Sequence, residues 1–197
     1  MSLLVVTGGA RSGKSTAAVR LVSRRGGEVV VAVAGASSDE EMRRRIEAHR
    51  RERRVGWSTL ELGDDPLQDL SKVPDSACLL LDCLGSVVAR IVSEEAIGDL
   101  EVASESAEER VRSRVSEVVE WLVRRRGDTV VVTNEVGGGV VPPYPDGRLF
   151  RDELGRANRR LVDVADGAWL VVAGRCLDLA TQPVEPDWPT RNRRAEK

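Results

Sequence analysis

The chain has 197 residues, 41% hydrophobic and 31% charged, a globular composition that excludes a disordered chain, a collagen-like repeat or a coiled coil. Thirty Lys+Arg against 32 Asp+Glu leave a formal charge of −2. No net positive field therefore draws the chain to nucleic acid or anionic lipid, and neither is expected as a partner.

The first apolar run, Leu3–Val6, has no basic flank and is too short for a signal peptide or a membrane span, so no membrane insertion is expected. Cys78, Cys83 and Cys176 lack C-x-x-C spacing, and with a single His neither a zinc site nor a disulfide framework is easily built. Both features fit a reducing cytoplasm. In chain order, the runs Leu3–Val6, Val29–Ala34, Ala77–Leu81, Thr129–Thr133 and Ala168–Val172 read as strands. Continuous Val/Leu runs, without apolar and polar alternation, suit strands buried on both faces of a parallel sheet. Helical spacing fills the intervals: Ser15–Val22, then Met42, Ile46 and His49 behind the acidic start Asp39-Glu40-Glu41, then Val111, Val115, Val118, Val119 and Leu122, and finally Leu154, Ala157, Leu161 and Val164. This alternation predicts an α/β, P-loop NTPase-like fold with a mostly parallel sheet and helices on both faces. Val136–Gly147, VGGGVVPPYPDG, is too rich in Gly and Pro for a helix or a central strand and reads as a loop, of a length that in a compact domain is often functional. Nothing divides the chain, so one domain is expected over 1–180, with 181–197 a surface or frayed tail.

Gly8-Gly9-Ala10-Arg11-Ser12-Gly13-Lys14-Ser15 fits G-x-x-x-x-G-K-[ST] and stands between a predicted strand and a predicted helix, the context the motif requires. Its backbone N–H groups converge on phosphate oxygens, Lys14 reaches the β and γ phosphates, and Ser15 can ligate Mg²⁺. The metal needs an acidic partner. Asp82, closing the run Cys78–Leu81, is the candidate because ligands of open α/β sheets bind outside the carboxyl ends of the strands. Capping of the next helix is the alternative role. Asn134 and Glu135 end another strand at the same edge, as ligand contacts or as caps of the loop that follows.

His49 falls on the apolar face of its helix, the place either of a core or interface histidine or of a nucleophile. Arg50, Arg51, Arg53 and Arg54 beside it form either a clamp for a triphosphate or a solvated basic face.

The segments TGGARSGKS, DEEMRRRIEAHRRERRVGWSTLE, LLLDCL and VVVTNEVGGGVVPPYPDGRLFRDELGRANRRLVDVADGAWLVVAG follow one another in an order that resembles the bacterial adenosylcobinamide kinase/adenosylcobinamide-phosphate guanylyltransferases. The H-R-x-x-R-x-x-x-W-x-T-x-E run, the T-N-E-V-G segment and F-R-D-x-x-G-R-x-N carry the likeness. It implies phosphorylation of adenosylcobinamide, followed by transfer of GMP from GTP through a guanylylated histidine, which maps onto His49. By the same likeness Arg50, Arg53 and Glu61 lie beside the guanine nucleotide, ATP and GTP are substrates with Mg²⁺, the acceptor is a corrinoid, and the protein is a homo-oligomer, with a trimer among the forms. Glu61 read by itself is equally a solvated strand-end carboxylate. The competing functions are a P-loop kinase of another small alcohol, which needs Lys14, Ser15 and Asp82 but not His49, and a GTP-responsive binding module.

Overall fold

The computed structural model describes residues 1–34, 56–96 and 105–185. The predicted helix through Met42 and His49, together with Arg50 and Arg53, lies outside the described residues. The described elements run β1 (Leu3–Gly8), α1 (Lys14–Arg25), β2 (Val29–Ala34), β3 (Ser58–Leu62), α2 (Pro66–Ser71), β4 (Cys78–Asp82), α3 (Leu84–Ala96), α4 (Glu105–Arg124), β5 (Thr129–Val132), α5 (Pro145–Val164), β6 (Gly167–Val172) and β7 (Arg175–Asp178).

All seven strands form one sheet in the order β3-β2-β4-β5-β1-β6-β7. Every pairing is parallel except that of β6 with β7. The five predicted strands are all present, and the reason they read as unbroken apolar runs is visible in how their side chains divide. In β2, Val29, Val31 and Val33 join Ala18 and Val22 of α1 in one core. Val30 and Ala32 point the other way, into a larger core with Leu84, Ile91, Val111, Val115, Leu122, Leu154 and Leu161. With both faces covered, neither set of alternate positions tolerates polar residues.

β3 and β7 were not among the predicted strands. β3 reads STLEL and buries only Leu62, and β7 is exposed along its whole length. At the margins of the sheet the apolar run that marks a central strand is not required. α2 was likewise unmarked, and α3 entered only as the helix that Asp82 would cap. α2 has a local signature, since the Asp65 carboxylate accepts from the Gln68 N–H at 2.9 Å and Pro66 follows at the first helical position. The loop predicted to end at Gly147 ends at Tyr144, because Pro145 opens α5 with a fixed φ and no N–H to leave unpaired. Val164 at the other end of α5 is exposed, whereas Leu154, Ala157 and Leu161 are buried as expected.

The amino edge of the sheet is tied by side chains. Buried Arg125 donates from Nη1 to the carbonyl of Asp128 and the hydroxyl of Thr129, and from Nη2 to the carbonyls of Pro74 and Ala77. Asp128 accepts from Arg25 Nε at 2.6 Å and from the Ser2 N–H at 2.8 Å. Asp166 accepts from the Leu3 N–H, also at 2.8 Å. Among the described residues no helix is long and apolar enough to cross a membrane.

Candidate active site

The carboxyl edge of β1 turns directly into the phosphate-loop sequence. Arg11 and Gly13 both adopt positive φ, 55° and 95°, which folds the loop tightly enough for Ser12 N–H to donate back to Gly9 O at 3.3 Å. A side chain at Gly8 has no room: a Cβ there would stand 2.5 Å from Val171 O. The β6–β7 turn props the loop from the side, its Gly174 N–H donating to Ser12 O at 2.8 Å.

α1 starts at Lys14 with Gly13 as its cap, no side-chain cap bond and no acidic residue in its first turn. Its leading N–H groups thus have no side-chain cap or first-turn acid of the helix's own, which suits an incoming phosphate. Lys14 Nζ curls back to Gly9 O at 3.1 Å and sits over the loop. Among the described residues three buried side-chain polar atoms lack a partner, and two of them, Thr7 Oγ1 and Ser12 Oγ, belong to this turn. Buried hydroxyls are almost always paired, so these two stand out at the end of β1 and in the phosphate-loop sequence.

Asp82 is the last residue of β4, and β5 lies between β4 and β1. The Ser15 hydroxyl at the start of α1 nevertheless donates to Asp82 Oδ1 at 3.2 Å, bridging residues 67 positions apart. The two groups proposed for the metal are thereby brought together.

β5, next to β1, delivers the other polar pair. The Glu135 N–H donates to Gly8 O at 3.1 Å, so the chain after β5 passes beside the first residue of the phosphate loop. Asn134 is half-buried and Glu135 exposed. The carbonyl of Asn134 accepts from Asn158 Nδ2 at 2.9 Å, and its side-chain Oδ1 accepts from Cys83 Sγ at 3.4 Å. Asn158 Oδ1 in turn accepts from the fully buried Thr133 hydroxyl at 2.6 Å. Thr7, Cys83 and Asn158 were not singled out from the sequence. Asn158 left a signal: it is a polar residue in the buried stripe of Leu154, Ala157 and Leu161, where an unpaired amide is costly.

Glu61 does not join this cluster. It is exposed on β3, opposite Val33, at the outer margin of the sheet. Four strand steps separate β3 from β1, about 19 Å at about 4.8 Å per step. His49, Arg50 and Arg53 lie outside the described residues.

A phosphate loop at the carboxyl edge of a two-sided parallel sheet, its serine joined to a strand-end aspartate, defines a nucleotide-binding P-loop enzyme of the α/β class. The comparison with known proteins makes this particular. Residues 4–179 match the family described as cobinamide kinase / cobinamide phosphate guanyltransferase, and the chain belongs to that family. It is 37% identical over 178 residues to the bifunctional adenosylcobalamin biosynthesis protein CobU of Salmonella typhimurium, covering 87% of this chain and 96% of that protein. The protein of the same name from Escherichia coli is 33% identical over 177 residues, with the same shares covered. CobP of Pseudomonas aeruginosa, also called a bifunctional adenosylcobalamin biosynthesis protein, is 30% identical over 184 residues, 91% of this chain and 98% of that one.

Proposed function

We propose that this chain phosphorylates the aminopropanol alcohol of adenosylcobinamide with ATP or GTP, and then passes GMP from GTP, through a guanylylated His49, to the resulting phosphate. The observation that carries the reading is the Ser15–Asp82 bridge beside a phosphate loop that opens into α1 with no side-chain cap and no acidic residue in the helix's first turn.

In the kinase step the acceptor oxygen bonds to the γ-phosphorus and gives up its proton to solvent, while the bond from the γ-phosphorus to the β–γ bridging oxygen breaks and the nucleoside diphosphate leaves. Gly8 through Ser15 hold the triphosphate by backbone N–H groups, and Lys14 neutralises charge that spreads over the migrating phosphoryl group. Ser15 and Asp82 offer two hard oxygen donors and fit Mg²⁺, which takes few protein ligands and completes its shell with phosphate oxygens and water. Among the described residues no cluster of three or more His, Cys, Asp or Glu suits a metal held by protein alone. Ser15 and Asp82 would hold the ion, and when bound Mg²⁺ would neutralise further charge on the phosphates. In the guanylyl step the neutral imidazole of His49 bonds to the α-phosphorus of GTP and pyrophosphate leaves. An oxygen of the corrinoid phosphate then displaces the histidine, giving adenosylcobinamide-GDP. Arg50, Arg53 and Glu61 are assigned to the guanine nucleotide, and Asn134 and Glu135 to the edge where acceptor and nucleotide meet. The working form is taken as a cytoplasmic homo-oligomer, which light scattering tests.

Incubation with α-³²P-GTP tests the guanylyl half. The wild-type chain should keep an acid-labile, base-stable label, and His49→Ala should lose it while still binding nucleotide. Undiminished label on His49→Ala overturns the assignment. A kinase of another small alcohol gives turnover without label, and a GTP-responsive binding module gives neither.

A further inference from the structure

Between β5 and α5 the chain exposes an apolar tip. Val140, Val141 and Tyr144 are 95%, 60% and 65% exposed, and Pro142 and Pro143 lie between them. Of the eight exposed large hydrophobic residues among the described ones, three therefore fall within five consecutive positions. Such a cluster on an exposed surface marks a place of contact rather than chance.

The tip is held in shape. Gly137 N–H donates to Glu135 Oε1 at 2.6 Å, and Arg151 Nη2 to Gly137 O at 2.8 Å. Arg148 Nη1 reaches the carbonyls of Pro142 and Pro143 at 3.2 and 2.9 Å. Pro142 and Tyr144 press on Gly147 so closely that a Cβ there would stand 2.7 Å from Pro142 Cβ and 3.2 Å from Tyr144 Cδ2. Three prolines, at 142, 143 and 145, fix φ around it. Apolar groups presented on a prearranged backbone lose little freedom when they are covered.

The tip is also continuous with the phosphate site. Its root, Glu135, is bonded to Gly8 O, and Val140 is five residues on, within about 18 Å at about 3.5 Å per residue. We propose that Val140, Val141 and Tyr144 form the apolar half of the acceptor subsite, the surface on which the corrinoid macrocycle lies while its alcohol arm reaches the phosphate loop. This rests on the function proposed above. The nucleotide is the poorer occupant, because its phosphates and ribose are polar and are served by the Gly8–Ser15 loop. A corrinoid is broad, carries methyl groups on its faces and amides at its margin, and extends far beyond a phosphate cradle. It needs apolar area beside that cradle and carbonyl or N–H groups around it, which the tip and its glycines supply.

The test is steady-state phosphorylation by the full chain carrying Val140→Ser, Val141→Ser and Tyr144→Ser together, with adenosylcobinamide and nucleotide varied in turn. The KM for adenosylcobinamide should rise about tenfold or more, with the KM for nucleotide within about twofold of wild type and melting unchanged, as befits exposed positions. Gly147→Ala, which displaces Pro142 and Tyr144 without removing them, should raise the same KM by a smaller factor. An unchanged acceptor KM in the triple variant overturns the inference, as does a nucleotide KM that rises in step with it. A change in molecular mass on light scattering overturns it too, since the tip would then be a subunit contact. Wild-type protein that does not phosphorylate adenosylcobinamide removes the proposed function itself, and this inference with it.

Discussion

The two edges of the same sheet treat their polar groups in opposite ways. At the amino edge Arg125 and Asp128 spend their hydrogen bonds on the chain: four from the guanidinium to three carbonyls and a hydroxyl, and two to the carboxylate from Arg25 and Ser2. Among the buried side-chain atoms of the described residues, Arg125 Nε alone is left without a partner there. At the carboxyl edge Thr7 and Ser12 bury unpaired hydroxyls, Lys14 bonds one carbonyl, and the first turn of α1 carries no acid. A polar group satisfied inside the fold contributes to stability, and one kept open contributes to binding at some expense of stability. The contrast predicts that substitutions at one edge change the melting temperature and those at the other change turnover.

Lys14→Ala should give the largest effect, a fall in kinase kcat of about 10²–10³-fold, since one donor to the migrating charge is removed. Its melting temperature should stay within about 2 °C of wild type, because the ammonium holds a single loop carbonyl at a half-buried position. A marked drop in melting would break the contrast at its strongest point. Arg125→Ala should do the reverse. Orphaning the carbonyls of Pro74, Ala77 and Asp128 costs roughly 3 kcal/mol, or about 6–12 °C for a chain of this size, with the KM for nucleotide unchanged. Thermal unfolding at neutral pH measures it. Burial draws this guanidinium's pKa down from its ordinary value, yet it stays charged throughout the accessible range.

Asn158 belongs to both regimes, being a buried clamp whose partners lie at the open edge. Asn158→Ala should therefore move both readouts, by about 1–3 kcal/mol in stability and about tenfold in kcat. If only stability moved, the strand end carrying Asn134 would not need its exact placement for catalysis. Asp128→Asn sharpens the comparison with the smallest change. The hydrogen bond from Arg25, helped by the Ser2 N–H, holds the Asp128 carboxyl below the usual carboxylate range. A carboxylate depressed in the folded state adds stability above its unfolded pKa, about 3.9, and loses it as pH falls through the folded value. The pair is partly exposed, so about 0.5–1 kcal/mol is at stake. The wild-type advantage over Asp128→Asn should be present at pH 7 and shrink as the pH is lowered below the unfolded carboxylate range, read by melting against pH.

Sequence by itself determined the phosphate loop, the five central strands and the strand-end position of Asp82. These are local features: a glycine spacing, a burial period and the residue that closes an apolar run. It could not mark β3 and β7, because strands at the margin of a sheet need no apolar run, nor place the start of α5 within a stretch that reads as loop. Only the tertiary structure decided which strand ends are neighbours. That order joins Ser15 to Asp82 across β5, sets Glu61 four strands from the loop, lets Asn158 reach back to Asn134 and brings Gly174 against Ser12. Hydrogen bonds between residues 24 to more than 160 positions apart depend on how whole elements pack, and periodicity within one element carries no record of its neighbour.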